Sequence, residues 1–182
     1  MSTKKIIRKK FFLKRKKKYF KVNTTFFNPL VYLLKKSNKI NFKIGIYYPT
    51  YFELNLLKIF EVKFFRKFDF FLPIVEDKKS MNFYKWSKNK ILFLNKFGIL
   101  EPEKTKKEVP NIILVPLLAF DKKNNRLGYG KGFYDKYFKR YNKSKKILKI
   151  GIAFSFQRHH NLPVNKNDIK LDYILTEKGI IQ

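Results

Sequence analysis

The run "IILVPLLAF", residues 112–120, limits the fold more than any other feature of the chain. It is nine apolar residues long with no polar alternation, so a strand built from it must be covered on both faces. It falls far short of the roughly 20 residues a membrane-spanning helix needs, and Pro116 interrupts it. "FKIGIYYP" (42–49) and "ILKIGIAF" (147–154) have the same character, and "LDYILTE" (171–177) reads as a final strand. Helical segments fall between them: "ELNLLKIF" (53–60) and "FYDKYFKRY" (133–141). Continuous apolar strands alternating with helices predict an α/β fold, three-layer α/β/α with a mostly parallel central sheet.

The remaining segments fill in around this frame. "FDFFLPIV" (68–75) and "MNFYKW" (81–86) are aromatic, β-prone runs, expected as strands joined by a turn at 76–80. Residues 97–111 hold two prolines and many charges and are expected as a loop. Ile6, Ile7, Phe11 and Phe12 recur at helical spacing among basic residues, so residues 3–20 read as a basic amphipathic helix.

At 182 residues, with 45% hydrophobic and 18% aromatic content, the chain suits one domain, 1–182, with a substantial core. The absence of cysteine removes disulfides, thiolate metal sites and cysteine nucleophiles together. With no uninterrupted apolar stretch behind the basic start, the expected location is cytoplasmic. The sequons at Asn23 and Asn142 then carry no weight. The net charge of +30 invites a nucleic-acid partner. Yet the excess is lysine spread from end to end, alongside surplus Ile, Asn, Phe and Tyr, as expected from A- and T-rich codons. A solvated lysine surface without a specific nucleic-acid or membrane partner is the preferred reading. Anionic small molecules would still feel the field.

After the apolar run comes "DKKNNRLGYGKG" and then the helical segment 133–141. A strand, a glycine-rich turn and a helix bind phosphate well, because backbone N–H groups and the positive end of the helix dipole meet there. Gly128, Gly130 and Gly132 are three of only seven glycines in the chain. Their G-x-G-x-G spacing matches neither the P-loop nor the dinucleotide pattern. A plain tight turn with a helix cap is the competing reading of the glycines alone. Lys131 and Arg126 supply positive charge, and Asp135 offers a carboxylate suited to a hard cation.

Residues 114–140, "LVPLLAFDKKNNRLGYGKGFYDKYFKR", resemble the signature of the 5-formyltetrahydrofolate cyclo-ligase family. "KKIIR", "IYYPTYFELNLLKIF", "LPIVEDKKSMNFYKW", "FGILEP", "GIAFSFQ" and "LPVNKNDIKLDYILTE" resemble further family blocks in the right order, over nearly the whole chain. The resemblance implies an enzyme that uses ATP and Mg2+ to convert 5-formyltetrahydrofolate to 5,10-methenyltetrahydrofolate, with release of ADP and phosphate. In that chemistry the formyl oxygen attacks the γ-phosphate and N10 then attacks the activated carbon. Both partners are small molecules, and a monomer is expected.

The resemblance also implies roles. Lys4 and Arg8, four apart on the first helix, would reach ATP. Arg126, Leu127, Gly128, Tyr129, Gly130, Lys131, Gly132, Phe133 and Tyr134 would form the rest of the ATP site, with Lys131 and Arg126 catalytic. Glu53, Met81, Phe83, Trp86 and Tyr134 would bind the folate, and Asp135 and Asp172 would meet magnesium. For several there is a plainer alternative: surplus lysine for Lys4, a helix's first-turn acid for Glu53, a buried strand face for Met81, Phe83 and Trp86, the core for Phe133 and Tyr134, and a cap for Asp172. Leu117 stands where the family usually has glycine, which would narrow the space beside the loop and would suit a family member that binds without turnover. Phe133 replaces a frequent tyrosine, and His159 and His160 read as loop residues.

Overall fold

The computed structural model describes residues 3–37, 41–76, 80–95, 98–141 and 146–182. In chain order its elements are α1 (Thr3–Lys18), α2 (Asn28–Lys36), β1 (Lys43–Gly45), β2 (Asp69–Val75), β3 (Met81–Lys85), β4 (Phe93–Leu94), β5 (Leu100–Glu101), β6 (Lys107–Glu108), β7 (Ile112–Pro116), β8 (Ala119–Phe120), β9 (Arg126–Leu127), α3 (Phe133–Tyr141), β10 (Leu148–Ile152), β11 (Tyr173–Thr176) and β12 (Gly179–Ile181). Most of the turn expected at 76–80, and Asn142, lie outside the described residues.

Eight strands form one sheet in the order β12-β11-β10-β7-β1-β2-β3-β6. The four central pairings, from β11 through β10, β7 and β1 to β2, are parallel. The outer pairings β11/β12, β2/β3 and β3/β6 are antiparallel. Ile44 pairs with Phe70 on one side and Ile112 on the other, so β1 is enclosed. The apolar runs of β7 and β10 have the burial their composition predicts: Ile112 to Val115 and Lys149 to Ile152 are buried.

Each face of the sheet has its own core. One cluster joins α2, through Leu30 and Leu34, to Ile44, Phe70, Leu114 and Ile152. The other joins α3, through Tyr137 and Phe138, to Phe71, Phe83, Ile113 and Val115. Fully burying an apolar side chain of this size contributes about 1.5–3 kcal/mol, so each helix is anchored by a few such residues. This is the expected α/β arrangement, with a helix on each side. α1 belongs to neither layer. Its Ile7 and Phe11 form a third cluster with Leu118, Ala119, Leu127 and Leu162, beyond the carboxyl end of β7.

Several local expectations are corrected. Residues 53–60 form no α-helix; a 3-10 turn, Leu56–Glu61, stands there, and a second, Lys63–Lys67, follows it. The Asn55 side chain accepts from Leu57 N, and Leu56 and Ile59, three apart, are buried, as a tighter three-residue turn demands. The run 112–120 is not one strand. β7 ends at Pro116, and Ala119 and Phe120 turn away to pair with β9 in a separate hairpin. The loop expected at 97–111 contributes β6, an edge strand. α2 and β12 were not anticipated, although Pro29 in the first turn and Lys35 and Lys36 in the last mark α2 well.

Candidate active site

β1 leads to β2 on one side, through the 3-10 turns that pack on the first cluster, whereas β7 leads to β10 on the other, through α3. The chain therefore leaves β1 and β7 in opposite directions, and a crevice opens beyond their carboxyl ends, where ligands of such sheets bind. Residues 46–53 follow β1 and residues 117–132 follow β7. α1 brings side chains to both.

The glycine loop is built as its composition suggests. Gly130 has φ +98° and Gly132 φ +70°, backbone that residues with a Cβ rarely adopt. A Cβ on Gly130 would also lie 3.1 Å from Arg8 Cζ. Arg8 Nε donates to Gly128 O at 2.8 Å, so the first helix is fastened directly to the loop. Gly132 O accepts from Lys136 N at 3.0 Å as α3 begins. Lys131 is exposed at the loop's tip, and Lys4 forms an ion pair with Asp168.

The turn after β1 is the other wall. Tyr51 and Phe52 have φ of +47° and +62°, a left-handed pair of non-glycine residues costing roughly 1–2 kcal/mol each. Glu53 follows, only 6% exposed. Its Oε2 accepts from Thr50 N at 2.9 Å and Thr50 Oγ1 at 3.3 Å. Burial raises its carboxyl above the ordinary range; the Thr50 amide, the Arg15 charge and the two hydroxyls pull downward without overcoming that. Burial, and next the Glu53 charge, push the hydroxyls of Tyr47, Tyr129 and Tyr134 upward. These groups thus share one electrostatic neighbourhood.

The residue that sequence reasoning missed is Arg15. It is 1% exposed and donates to Leu117 O at 3.2 Å, Tyr51 O at 2.7 Å and the Tyr129 hydroxyl. The signal was present: the buried stripe Ile7, Phe11, four apart, lands next on Arg15.

The other candidates are placed as follows. The Arg126 side chain is 5% exposed and donates to Ile169 O at 2.7 Å and Asp135 Oδ1 at 2.8 Å, and Ile169 N donates to the same Oδ1. Asp135 Oδ2 takes no hydrogen bond among the described residues. Asp172 Oδ2 accepts Lys149 N at 2.7 Å and lies 3.1 Å from Lys149 Nζ, as a cap would. No group of three or more His, Asp or Glu able to hold a metal occurs among the described residues. Leu127 and Phe133 pack in the apolar clusters.

Two expectations are corrected by this geometry. Met81 and Phe83 lie in the cluster with α3, whereas Trp86 lies in the cluster on the other face, its Nε1 donating to Lys90 O at 3.1 Å. They do not line one pocket, because 81 and 83 share a strand face that 86 cannot. Nor does Leu117 narrow the loop. Its side chain packs in the core over Gly151, where an added Cβ would come within 2.8 Å of it. Only its carbonyl turns to Arg15 and Gln157. No helix among the described residues is long and apolar enough to cross a membrane.

Comparison with known proteins agrees with this geometry. The model of the 5-formyltetrahydrofolate cyclo-ligase family matches residues 3–177. A 5-formyltetrahydrofolate cyclo-ligase of Haemophilus influenzae is 30% identical over 139 residues, 72% of this chain and 74% of that protein. One from Mycoplasma genitalium is 49% identical over 61 residues, 34% of this chain and 35% of that protein. The NMR structure of Aquifex aeolicus 5,10-methenyltetrahydrofolate synthetase superposes with TM-score 0.77 at 31% identity, covering 100% of this chain and 93% of that one. The 5,10-methenyltetrahydrofolate synthetase of Mycoplasma pneumoniae gives TM-score 0.74 at 25% identity, covering 97% and 99%. A match along almost the entire length, with the same fold, shows that this chain belongs to the 5-formyltetrahydrofolate cyclo-ligase family.

Proposed function

We propose that the chain converts 5-formyltetrahydrofolate to 5,10-methenyltetrahydrofolate, coupled to cleavage of ATP to ADP and phosphate. The observation that carries this reading is the junction of the two walls: buried Arg15 donates both to Tyr51 O, in the turn that carries the buried Glu53 carboxylate, and to the hydroxyl of Tyr129, a residue of the glycine loop. A carboxylate suited to the donors of a pterin thus stands beside a backbone cradle suited to phosphate.

In this proposal the formyl oxygen attacks the γ-phosphorus as ADP leaves. N10 then attacks the activated carbon and gives up its proton, and phosphate departs. No protein nucleophile takes part, so catalysis rests on alignment and on neutralising phosphoryl charge. The amides of residues 128–132, with Lys131 and Arg8, would hold the triphosphate, and Lys4 would join them by exchanging Asp168 for phosphate. Glu53 would fix the pterin, with Tyr134 beside it. Arg126, already committed to Asp135, would hold that carboxylate in place.

Magnesium travelling with ATP needs only one or two protein carboxylates and would supply charge neutralisation. Asp135 fits that need with Oδ2, and Asp172, whose Oδ2 is engaged by Lys149, would offer Oδ1.

The test is to incubate the chain with 5-formyltetrahydrofolate and Mg-ATP and follow the absorbance of the methenyl product. Turnover is expected only when both substrates are present, and Lys131→Ala should lower it about 100-fold or more without unfolding the chain. Binding of folate with no methenyl product would instead leave a family member without catalytic activity.

A further inference from the structure

Arg15 is the largest fully buried side chain among the described residues, and it is charged. It continues the apolar stripe of α1, yet an apolar residue there would pack at least as well, since replacing buried charges by hydrophobic residues is often neutral or stabilising. Its Nε is buried without an acceptor among the described residues, a further cost of about 1–3 kcal/mol. Stability alone therefore does not account for it. The bonds it makes do: one to the carbonyl of Tyr51 in the strained turn that carries Glu53, one to the Tyr129 hydroxyl, and one to the carbonyl of Leu117 just after β7. A planar fork can bridge such oxygens at fixed angles, and a lysine cannot.

We propose that Arg15 is a positioning residue of the folate site, joining the 50–53 turn to the glycine loop and so holding Glu53, through its bond to the Tyr51 carbonyl, in place for the substrate. The inference rests on reading Glu53 as the pterin's partner. The Tyr129 hydroxyl and the Tyr51 carbonyl both accept from Arg15 Nη2, so one guanidinium nitrogen from the first helix ties the glycine loop to the turn that carries Glu53. The charged and titratable groups about Glu53 are Arg15 from α1, Tyr129 from the loop, Tyr47 after β1 and Tyr134 from α3. Arg15 alone among them is a cation, so its removal leaves the buried carboxylate harder to ionise. Binding that needs the carboxylate would then fail at a higher pH.

The experiment is calorimetric titration with 5-formyltetrahydrofolate across pH, for the wild type, Arg15→Met, Arg15→Lys, Glu53→Gln and the Met/Gln double variant, with thermal unfolding recorded alongside. Arg15→Met should weaken binding about tenfold or more at neutral pH and move the pH at which affinity declines upward. In the Glu53→Gln background the same change should cost about twofold at most. Arg15→Lys, which keeps the charge, should weaken binding without moving the pH midpoint. An equal loss in both backgrounds, an unmoved midpoint for Arg15→Met, or wild-type affinity for Arg15→Lys would each overturn the proposal. Wild-type affinity in Glu53→Gln would instead remove the folate reading of Glu53, and the role of Arg15 with it.

Discussion

Two buried carboxylates stand near the carboxyl end of the sheet, and they are built in opposite ways. Asp121, 1% exposed, sits in the β8/β9 hairpin and accepts four donors: Lys123 N at 2.9 Å, Asn125 N at 3.1 Å, Asn125 Nδ2 at 3.0 Å and Leu162 N at 3.1 Å. Burial pushes its carboxyl upward, but these donors outweigh burial and hold it below the ordinary range. Glu53 has fewer donors, and burial prevails. The backbones differ likewise. The left-handed residue of the hairpin is Asn124, a type that tolerates it, whereas the Glu53 turn puts Tyr51 and Phe52 there. The satisfied carboxylate belongs to the scaffold. The under-satisfied one, carried by a strained turn, is the one we propose as the pterin's partner.

Four substitutions sharpen or break that contrast. The largest effect is expected at the loop both carboxylates flank: Gly130→Val should lower kcat/KM for ATP about 100-fold or more, because Cβ meets Arg8 and the backbone disfavours it. Steady-state kinetics in the methenyl assay measures this. Asp121→Asn puts an amide N–H among N–H donors and should cost about 2–4 kcal/mol in urea unfolding, with residual activity tracking the folded fraction. Tyr51→Gly should stabilise the chain by about 1 kcal/mol, again by urea unfolding, and weaken folate binding if the turn's geometry matters to it.

Glu53→Gln is the smallest effect and the most diagnostic. The folded-state pKa of Glu53 is raised above its unfolded value, so its contribution to stability is fully present below the unfolded pKa and is lost as pH rises through the folded one. Glu53→Gln should therefore raise Tm slightly at pH 8 relative to wild type and lose that advantage near pH 4. Asp121 runs the other way: its contribution is present above the unfolded pKa and is lost as pH falls through the depressed folded one.

The sheet was legible because its central strands are unbroken apolar runs, and the phosphate cradle because glycine is scarce elsewhere. Glu53 was legible through resemblance, but its turn was not, since Tyr51 and Phe52 are residue types that give no hint of left-handed backbone. The short strands β6, β8, β9 and β12 escaped because two or three residues carry no period to read. Arg15 was hidden by its setting, among Lys14, Lys16, Lys17 and Lys18. Only six of the 43 basic residues are arginine, and Arg8, Arg15 and Arg126 all reach the residues of this crevice. Arg15 and Arg126, the two whose side chains are buried there, each bridge several oxygens, as a flat, multidentate cation can and lysine cannot.

The central claim is that the loop at 128–132 and the Glu53 turn form one site for two substrates. Amide-resolved NMR titration of the isotopically labelled chain, first with a non-hydrolysable ATP analogue and then with 5-formyltetrahydrofolate, tests it most directly. The account predicts that the nucleotide shifts the amides of Gly128, Gly130, Lys131 and Gly132, and that the folate then shifts Thr50, Glu53 and Tyr129. Nucleotide-induced shifts that leave those loop amides unmoved would contradict it.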